Sequence, residues 1–320
     1  MTDRPRLILH IGSQKTGTTT LQGFLKTQTE PLAEAGLHYV QAGRTNIAHN
    51  SVIPSIRKGH GEAVGEDILA ELSQNRDKTC FISSEMFFRP DIARFFAKHL
   101  PAALRIKSKV IVYLRRQDKY AEAMYKQRVK NGRYQGTPEE YAAGLTHLDY
   151  GQILSHFGAT FGSRNLIVRP FERALFPGGD VLQDFAQHSG IPADLAANYS
   201  YPSANGTLSK EVSEQLGALK RRNPEINTRE VIRHILRNRP EGAIRTSDCL
   251  DLETRRRIMQ ANASRNEELR ATYCPELPAL FDLSDLSADD AYPIPDKEDV
   301  SLRSQLATAA IEAAVADLET

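Results

Sequence analysis

The chain has 320 residues, of which 40% are hydrophobic and 25% are charged, and 41 basic residues against 40 acidic ones leave a formal charge of +1. This apolar content excludes a wholly disordered chain, and only three cysteines exclude a disulfide scaffold. The near-zero net charge provides no overall field that would recruit nucleic acid or an anionic membrane.

The first residues predict neither a signal peptide nor a membrane span. The apolar stretch 7–11 is too short for the core of a signal peptide, and no small-residue cleavage site follows it. No apolar run in the sequence approaches the roughly 20 residues that a membrane-spanning helix needs. A cytoplasmic protein is therefore expected.

Four short apolar runs, at 7–11, 80–82, 109–114 and 165–168, predict buried strands. Helical patterns separate these runs, and alternation of strands with helices predicts an α/β fold with a parallel sheet flanked by helices. Ligands of such sheets bind beyond the carboxyl ends of the strands. All four runs end in polar or charged residues, so the functional site is expected there.

The remaining sequence predicts a helical C-terminal part. Residues 1–284 are expected to form one α/β domain, of which 205–284 is mainly helical and basic. Residues 285–299 are expected to form an acidic linker, and residues 300–320 a terminal helix. This helix docks either on its own domain or on the second subunit of a homodimer. The arginines between 220 and 257 are interpreted as a solvated helix face, with an anionic acceptor as the alternative partner.

The segment after the first predicted strand is the most informative one. It consists of Gly12, Ser13, Gln14, Lys15, Thr16, Gly17, Thr18, Thr19 and Thr20. Glycines let main-chain N–H groups turn toward an anion, the following helix directs its positive end there, and Lys15 adds a full charge. The motif is not a Walker A loop, because Lys15 precedes Gly17 instead of following it.

At these residues the sequence resembles sulfotransferases that use 3′-phosphoadenosine 5′-phosphosulfate (PAPS), in the Lys-Thr-Gly-Thr-Thr form common among bacterial and heparan-type members. The resemblance implies the P-loop-like fold of that family and PAPS as co-substrate, with no metal. It further implies that Gly17, Thr18 and Thr19 hold the 5′-phosphate, with Thr20 at the edge, and that Lys15 stabilises the bridging oxygen as the sulfuryl group leaves.

A second element of the family binds the 3′-phosphate through an arginine at a strand end and a serine eight residues later. Arg115 matches the arginine, followed by Arg116, whereas Ala123 occupies the position of the serine. The resemblance thus places Arg115 and Ala123 in the co-substrate site and leaves open what replaces the missing hydroxyl. By the same resemblance, a turn at 205–209 is expected to close over the nucleotide.

Two residues compete for the role of the base that deprotonates the acceptor. Glu85 follows the second predicted strand, at the sheet edge that the loop is expected to occupy. His49 lies in a loop after the first helix, where the family often lines its acceptor pocket, and imidazole titrates in a useful range.

The sequence therefore predicts transfer of a sulfuryl group from PAPS to a hydroxyl or amine of a carbohydrate or other small acceptor, leaving 3′-phosphoadenosine 5′-phosphate (PAP). Two alternatives remain open: an ATP-dependent kinase of a related P-loop fold, and a nucleotide-binding protein without catalysis. No nucleic-acid partner is expected.

Overall fold

A computed structural model of the protein describes residues 5–145, 148–199, 206–289, 291–293 and 295–319. These residues divide into two compact units, each built from separate stretches of the chain. The first comprises residues up to 116, 149–201 and 264–281, and the second 117–148, 202–263 and 282–320. The predicted domain scheme, with its boundaries at 284 and 299, stays a prediction.

The first unit contains a parallel sheet of five strands in the order β2-β3-β1-β4-β5. Its strands are β1 (Leu7–His10), β2 (Leu37–Tyr39), β3 (Thr79–Ser83), β4 (Ser108–Leu114) and β5 (Leu166–Pro170). Four of them confirm the predicted runs. The sequence reasoning missed β2, because three residues at a sheet edge are too short for a periodic signal.

The described residues of this unit form the helices α1 (Thr18–Thr27), α2 (Thr29–Glu34), α3 (Val52–Arg57), α4 (Gly61–Gln74), α5 (Pro90–His99), α6 (Ala102–Arg105), α9 (Tyr150–Phe161), α10 (Val181–Ser189), α11 (Ala193–Ala197) and α15 (Ala263–Tyr273). Apolar side chains of α1 and α10 pack against Ile8, Phe81 and Ile111 of the sheet. Helix α9 contacts β4, β5 and α5. The predicted α/β class, with a parallel sheet flanked by helices, is confirmed.

The second unit is helical, which confirms the predicted helical C-terminal part. Its helices are α7 (Gln117–Lys130), α8 (Pro138–Ala143), α12 (Lys210–Arg222), α13 (Thr228–Asn238), α14 (Leu252–Ala261) and α16 (Lys297–Glu319). The terminal helix α16 buries Ala307, Ala310, Ile311 and Ala314 against α12 and α13 of the same unit. It begins at Lys297, inside the predicted linker, of which 290 and 294 lie outside the described residues.

No helix in the described part of the chain is long and apolar enough to cross a membrane.

Candidate functional site

The sheet order brings three of the predicted segments to one edge. Strand β1 lies between β3 and β4, and His10 at its end is in register with Ser83 of β3 and Ile111 of β4. The strands are parallel, so the segments that leave them start from the same edge of the sheet. The loop after β1 is therefore flanked by Glu85, which follows β3, and by Arg115, which follows β4.

The loop between β1 and α1 is held by its own hydroxyl groups. The Ser13 hydroxyl donates to the main-chain oxygen of Tyr113 in β4 at 2.8 Å, and the Thr16 hydroxyl donates to the oxygen of Ser13 at 2.6 Å. Lys15 adopts a left-handed backbone with φ +68°. A side chain in that region costs roughly 1–3 kcal/mol, and such strain is typical of functional turns.

Two positions of this loop require glycine. A Cβ on Gly12 would lie 2.7 Å from Thr18 Cγ2 and 2.8 Å from His10 Nε2. Gly17 has φ +75°, and a Cβ there would lie 2.9 Å from Val181 Cγ1. The loop therefore keeps its main chain close to its surroundings, as a phosphate-binding turn requires.

The N-terminus of α1 suits an anion. The residue before the helix is Gly17, and among the described residues no side chain caps the first turn. The first turn also contains no carboxylate, whereas Lys15, two residues before Gly17, is a partly exposed cation. The first N–H groups of a helix and its dipole favour negative charge at this end. Thr18 is buried, Thr20 is partly exposed, and Thr19 is exposed.

Arg115 is tied to the loop. Its Nη1 donates to the main-chain oxygen of Lys15 at 2.6 Å, and the Tyr150 hydroxyl donates to the main-chain oxygen of Arg115 at 2.8 Å. The guanidinium thus fixes the end of β4 to the loop that follows β1. Arg115 is partly exposed, whereas the adjacent Arg116 is buried.

Glu85 begins a single 3₁₀ turn (Glu85–Phe87), in which Met86 N–H donates to the Ser84 hydroxyl at 3.1 Å. The partly exposed Glu85 carboxylate accepts a hydrogen bond at 3.3 Å from Nε2 of Gln22, on α1. The same Nε2 lies 3.3 Å from the Ser83 hydroxyl.

His10 Nδ1 lies 2.8 Å from the Ser83 hydroxyl, so four side chains are connected: His10, Ser83, Gln22 and Glu85. Sequence reasoning missed the first three, although two of them end strands beside the motif and Gln22 lies two residues beyond it. Burial lowers the pKa of His10 to about 3, so this imidazole is neutral at pH 7.

His49 is fully buried. It follows β2 instead of coming directly after the first helix, its Nδ1 lies 3.2 Å from both the main-chain N and O of Ser83, and its ring meets that of Tyr39 edge-on at 5.3 Å. Its Nε2 is inaccessible to solvent and has no hydrogen-bond partner within the described ranges. Burial, opposed by the hydrogen bond to Ser83, lowers the pKa to about 4.

Ala123 lies on α7 and is partly exposed. Its neighbours on that helix belong to a buried ionic cluster of the second unit: Arg255 pairs with Asp118 at 3.2 Å and with Glu122, and Lys126 pairs with Asp248. The interpretation of the arginines between 220 and 257 as a solvated face is therefore wrong for Arg255, which has 0% exposure. Its carboxylate partners lie more than 100 positions earlier in the chain. Asn205 of the predicted turn lies outside the described residues.

No family model matches the chain. The chain is 33% identical over 198 residues to a protein of Archaeoglobus fulgidus described only as uncharacterized, and the match covers 60% of this chain and 53% of that protein. The chain thus spans about half the length of the curated relative it matches. It is also similar to the crystal structure of a sulfotransferase from Alicyclobacillus acidocaldarius, with 18% identity and a TM-score of 0.41 over 68% of this chain and 91% of that one. No reaction follows from a likeness at this level.

Proposed function

We propose that the protein is a sulfotransferase that takes the sulfuryl group from PAPS and transfers it to a hydroxyl or amine of a carbohydrate or other small acceptor. The observation that carries this proposal is the loop after the central strand β1. It combines a left-handed Lys15, two positions that require glycine, and a helix N-terminus without a side-chain cap among the described residues.

The residues present fit the phosphosulfate end of PAPS. Main-chain N–H groups at the start of α1, with the hydroxyls of Thr18 and Thr19, would hold the 5′-phosphate. Arg115, which donates to the Lys15 oxygen at 2.6 Å, would bring the positive charge of its planar guanidinium to the oxygens of the 3′-phosphate. Ala123 as a neighbour of the 3′-phosphate remains a prediction of the resemblance.

The chemistry needs a group that stabilises the leaving oxygen and a group that takes the proton of the acceptor. The acceptor oxygen or nitrogen forms a bond to sulfur while the bond from sulfur to the bridging oxygen breaks, and PAP leaves with that oxygen. Negative charge grows on the bridging oxygen, and the Lys15 ammonium would stabilise it. The proton of the acceptor passes to a base of the enzyme.

Accessibility favours Glu85 over His49 as this base. Glu85 is partly exposed at the strand edge that flanks the loop. The Nε2 atom of His49 is buried, and its Nδ1 is occupied by the main chain of Ser83. A base must come within hydrogen-bond reach of the proton that it removes, and only the carboxylate offers an accessible atom.

The co-substrate is tested by calorimetric titration of the protein with PAP and, separately, with ATP and Mg²⁺. Binding of PAP with no heat from ATP and Mg²⁺ supports the proposal, whereas binding of ATP and Mg²⁺ alone supports the kinase. Transfer is tested with ³⁵S-labelled PAPS and a panel of neutral, amino and acidic oligosaccharides.

The base is tested in the same transfer assay with Glu85→Gln and His49→Gln. A loss confined to Glu85→Gln assigns the base to the carboxylate. A loss confined to His49→Gln, with thermal stability retained, transfers that role to the imidazole. PAP binding without labelled product for any acceptor in the panel favours the nucleotide-binding protein without catalysis.

A further inference from the structure

A buried glutamine connects the helix that would hold the phosphate to the carboxylate that would act as base. Gln22 is 2% exposed, although its neighbours Leu21, Phe24 and Leu25 on α1 are apolar core residues. Burial of a side-chain amide without hydrogen-bond partners is unfavourable, so a glutamine at such a position requires partners. It has two, because its Nε2 donates to Ser83 Oγ and to Glu85 Oε2, each at 3.3 Å.

We propose that Gln22 is a positioning residue that fixes the Glu85 carboxylate relative to the bound phosphate. This inference rests on the proposed function, in which Glu85 takes the proton of the acceptor. Thr18 and Gln22 are four residues apart on α1 and therefore lie on the same side of the helix, one turn apart. One rigid helical turn thus sets the distance between the phosphate end of the site and the base.

Ser83 completes this arrangement. Its hydroxyl accepts from Gln22 and lies 2.8 Å from His10 Nδ1, so the serine that the glutamine contacts at the end of β3 is itself held by the end of β1. Because Ser83 and His10 are both fully buried, this support is held away from solvent. In-line transfer depends strongly on geometry, since a displacement of about 1 Å at a reacting group costs up to about 100-fold in rate.

The contacts are tested first, without any activity measurement. The side-chain amide resonances of Gln22, assigned by their loss in Gln22→Met, should move in both Glu85→Gln and Ser83→Ala. Resonances that stay in place in Glu85→Gln overturn the proposal, because the amide would then not touch the carboxylate. Gln22→Met retains the length of the side chain and removes only its polar groups, which limits the change in packing.

The role is tested with a double-mutant cycle on PAPS turnover, using the best acceptor of the panel, or water where none is used. Gln22→Met should lower kcat by roughly 10- to 100-fold while the Kd for PAP stays unchanged. In the Glu85→Gln background, the same substitution should have no further effect, because Gln22 acts through Glu85. Ser83→Ala, which leaves the contact with Glu85 intact, should cost less than Gln22→Met.

The outcomes separate this inference from the proposed function. An unaltered protein that does not bind PAP refutes the proposed function, while the resonance experiment still decides whether Gln22 holds Glu85. Where PAP binds, an equal loss of kcat from Gln22→Met in both backgrounds, or a parallel loss of PAP affinity, overturns the positioning role and leaves the proposed function standing.

Discussion

The guanidinium of Arg115 donates a hydrogen bond of 2.6 Å to the main-chain oxygen of Lys15, 100 positions earlier in the chain. Lys15 is the loop residue with the left-handed backbone, so the bond is made at the strained point of the turn. The end of β4 therefore supports the loop that leaves β1. In the proposed site, one arginine both braces the loop and contributes charge to the phosphates.

Because Arg115 contacts the loop and, in the proposed site, a phosphate, its removal should lower the affinities of two nucleotides by different amounts. Arg115→Ala should weaken binding of adenosine 5′-phosphate, because the loop loses its hydrogen bond to the guanidinium. It should weaken binding of PAP more, because PAP also loses a charged donor to its 3′-phosphate. Calorimetric Kd values for both nucleotides measure this. Equal losses of affinity for the two nucleotides would show that Arg115 acts only by supporting the loop. Arg164→Ala, at an exposed residue, serves as the control.

We predict that the Lys15 ammonium group is required for sulfuryl transfer but not for the stability of the folded protein. Lys15→Ala and Lys15→Gly should both abolish transfer of labelled sulfate, because both lack the ammonium group. Glycine, however, tolerates φ +68° without the roughly 1–2 kcal/mol that other residues incur there. The free energy of unfolding in urea should therefore be equal or higher for Lys15→Gly than for Lys15→Ala. A variant that retains most of its transfer rate would remove Lys15 from the mechanism.

Substitutions at Gly17 and Gly59 separate the cost of a left-handed backbone from the cost of a close contact in the loop. Both have positive φ, +75° and +81°, but a Cβ on Gly17 would meet Val181 Cγ1 at 2.9 Å, whereas nothing lies within 4 Å of one on Gly59. Gly59→Ala should lower the free energy of unfolding by about 1–2 kcal/mol, the cost of the backbone conformation alone. Gly17→Ala should lower it by at least about 1 kcal/mol more and weaken PAP binding. Equal destabilisation would show that the contact with Val181 relaxes freely.

Stability should fall as the pH drops below about 6.5. Burial lowers the pKa of His49 from 6.5 to about 4, so the unfolded chain takes up a proton in this window that the folded protein does not. Each such histidine makes unfolding easier by about 1.4 kcal/mol per pH unit between these values. Urea unfolding at pH 7 and pH 5 should show a smaller difference in His49→Gln than in the unaltered protein. The exposed His60, changed to Gln, should leave the difference unchanged.

The parts of the fold that the sequence predicted are those with a local signal. The run that ends at Leu114 has five consecutive apolar residues and the run before Arg169 has three, and parallel strands are buried on both faces, so composition marks them. Strand β2 has only three residues, of which His38 is partly exposed, and carries no comparable pattern. The interleaving of the two units likewise has no local signature.

For the candidate site too, the sequence predicted some features and not others. Lys15, Glu85 and Arg115 were placed at one edge because strand ends of a parallel sheet converge, and the sheet order confirms that their segments follow adjacent strands. The partners of these residues were not predictable. The contact of Gln22 with Glu85 and the burial of His49 depend on which strand lies beside which, and residue spacing along the chain does not encode that order.

The interleaved units have a consequence for synthesis on the ribosome. The first unit needs residues up to 116, then 149–201, and finally 264–281, and stretches of the second unit lie between them. At roughly 5–20 residues per second, the early strands wait about ten to thirty seconds between the emergence of residue 116 and that of residue 281. In the first part of this interval, until β5 has emerged, a nascent chain exposes the edge of β4 that β5 later covers. The nascent protein should accordingly depend on holding chaperones at least until β5 has emerged and paired with β4.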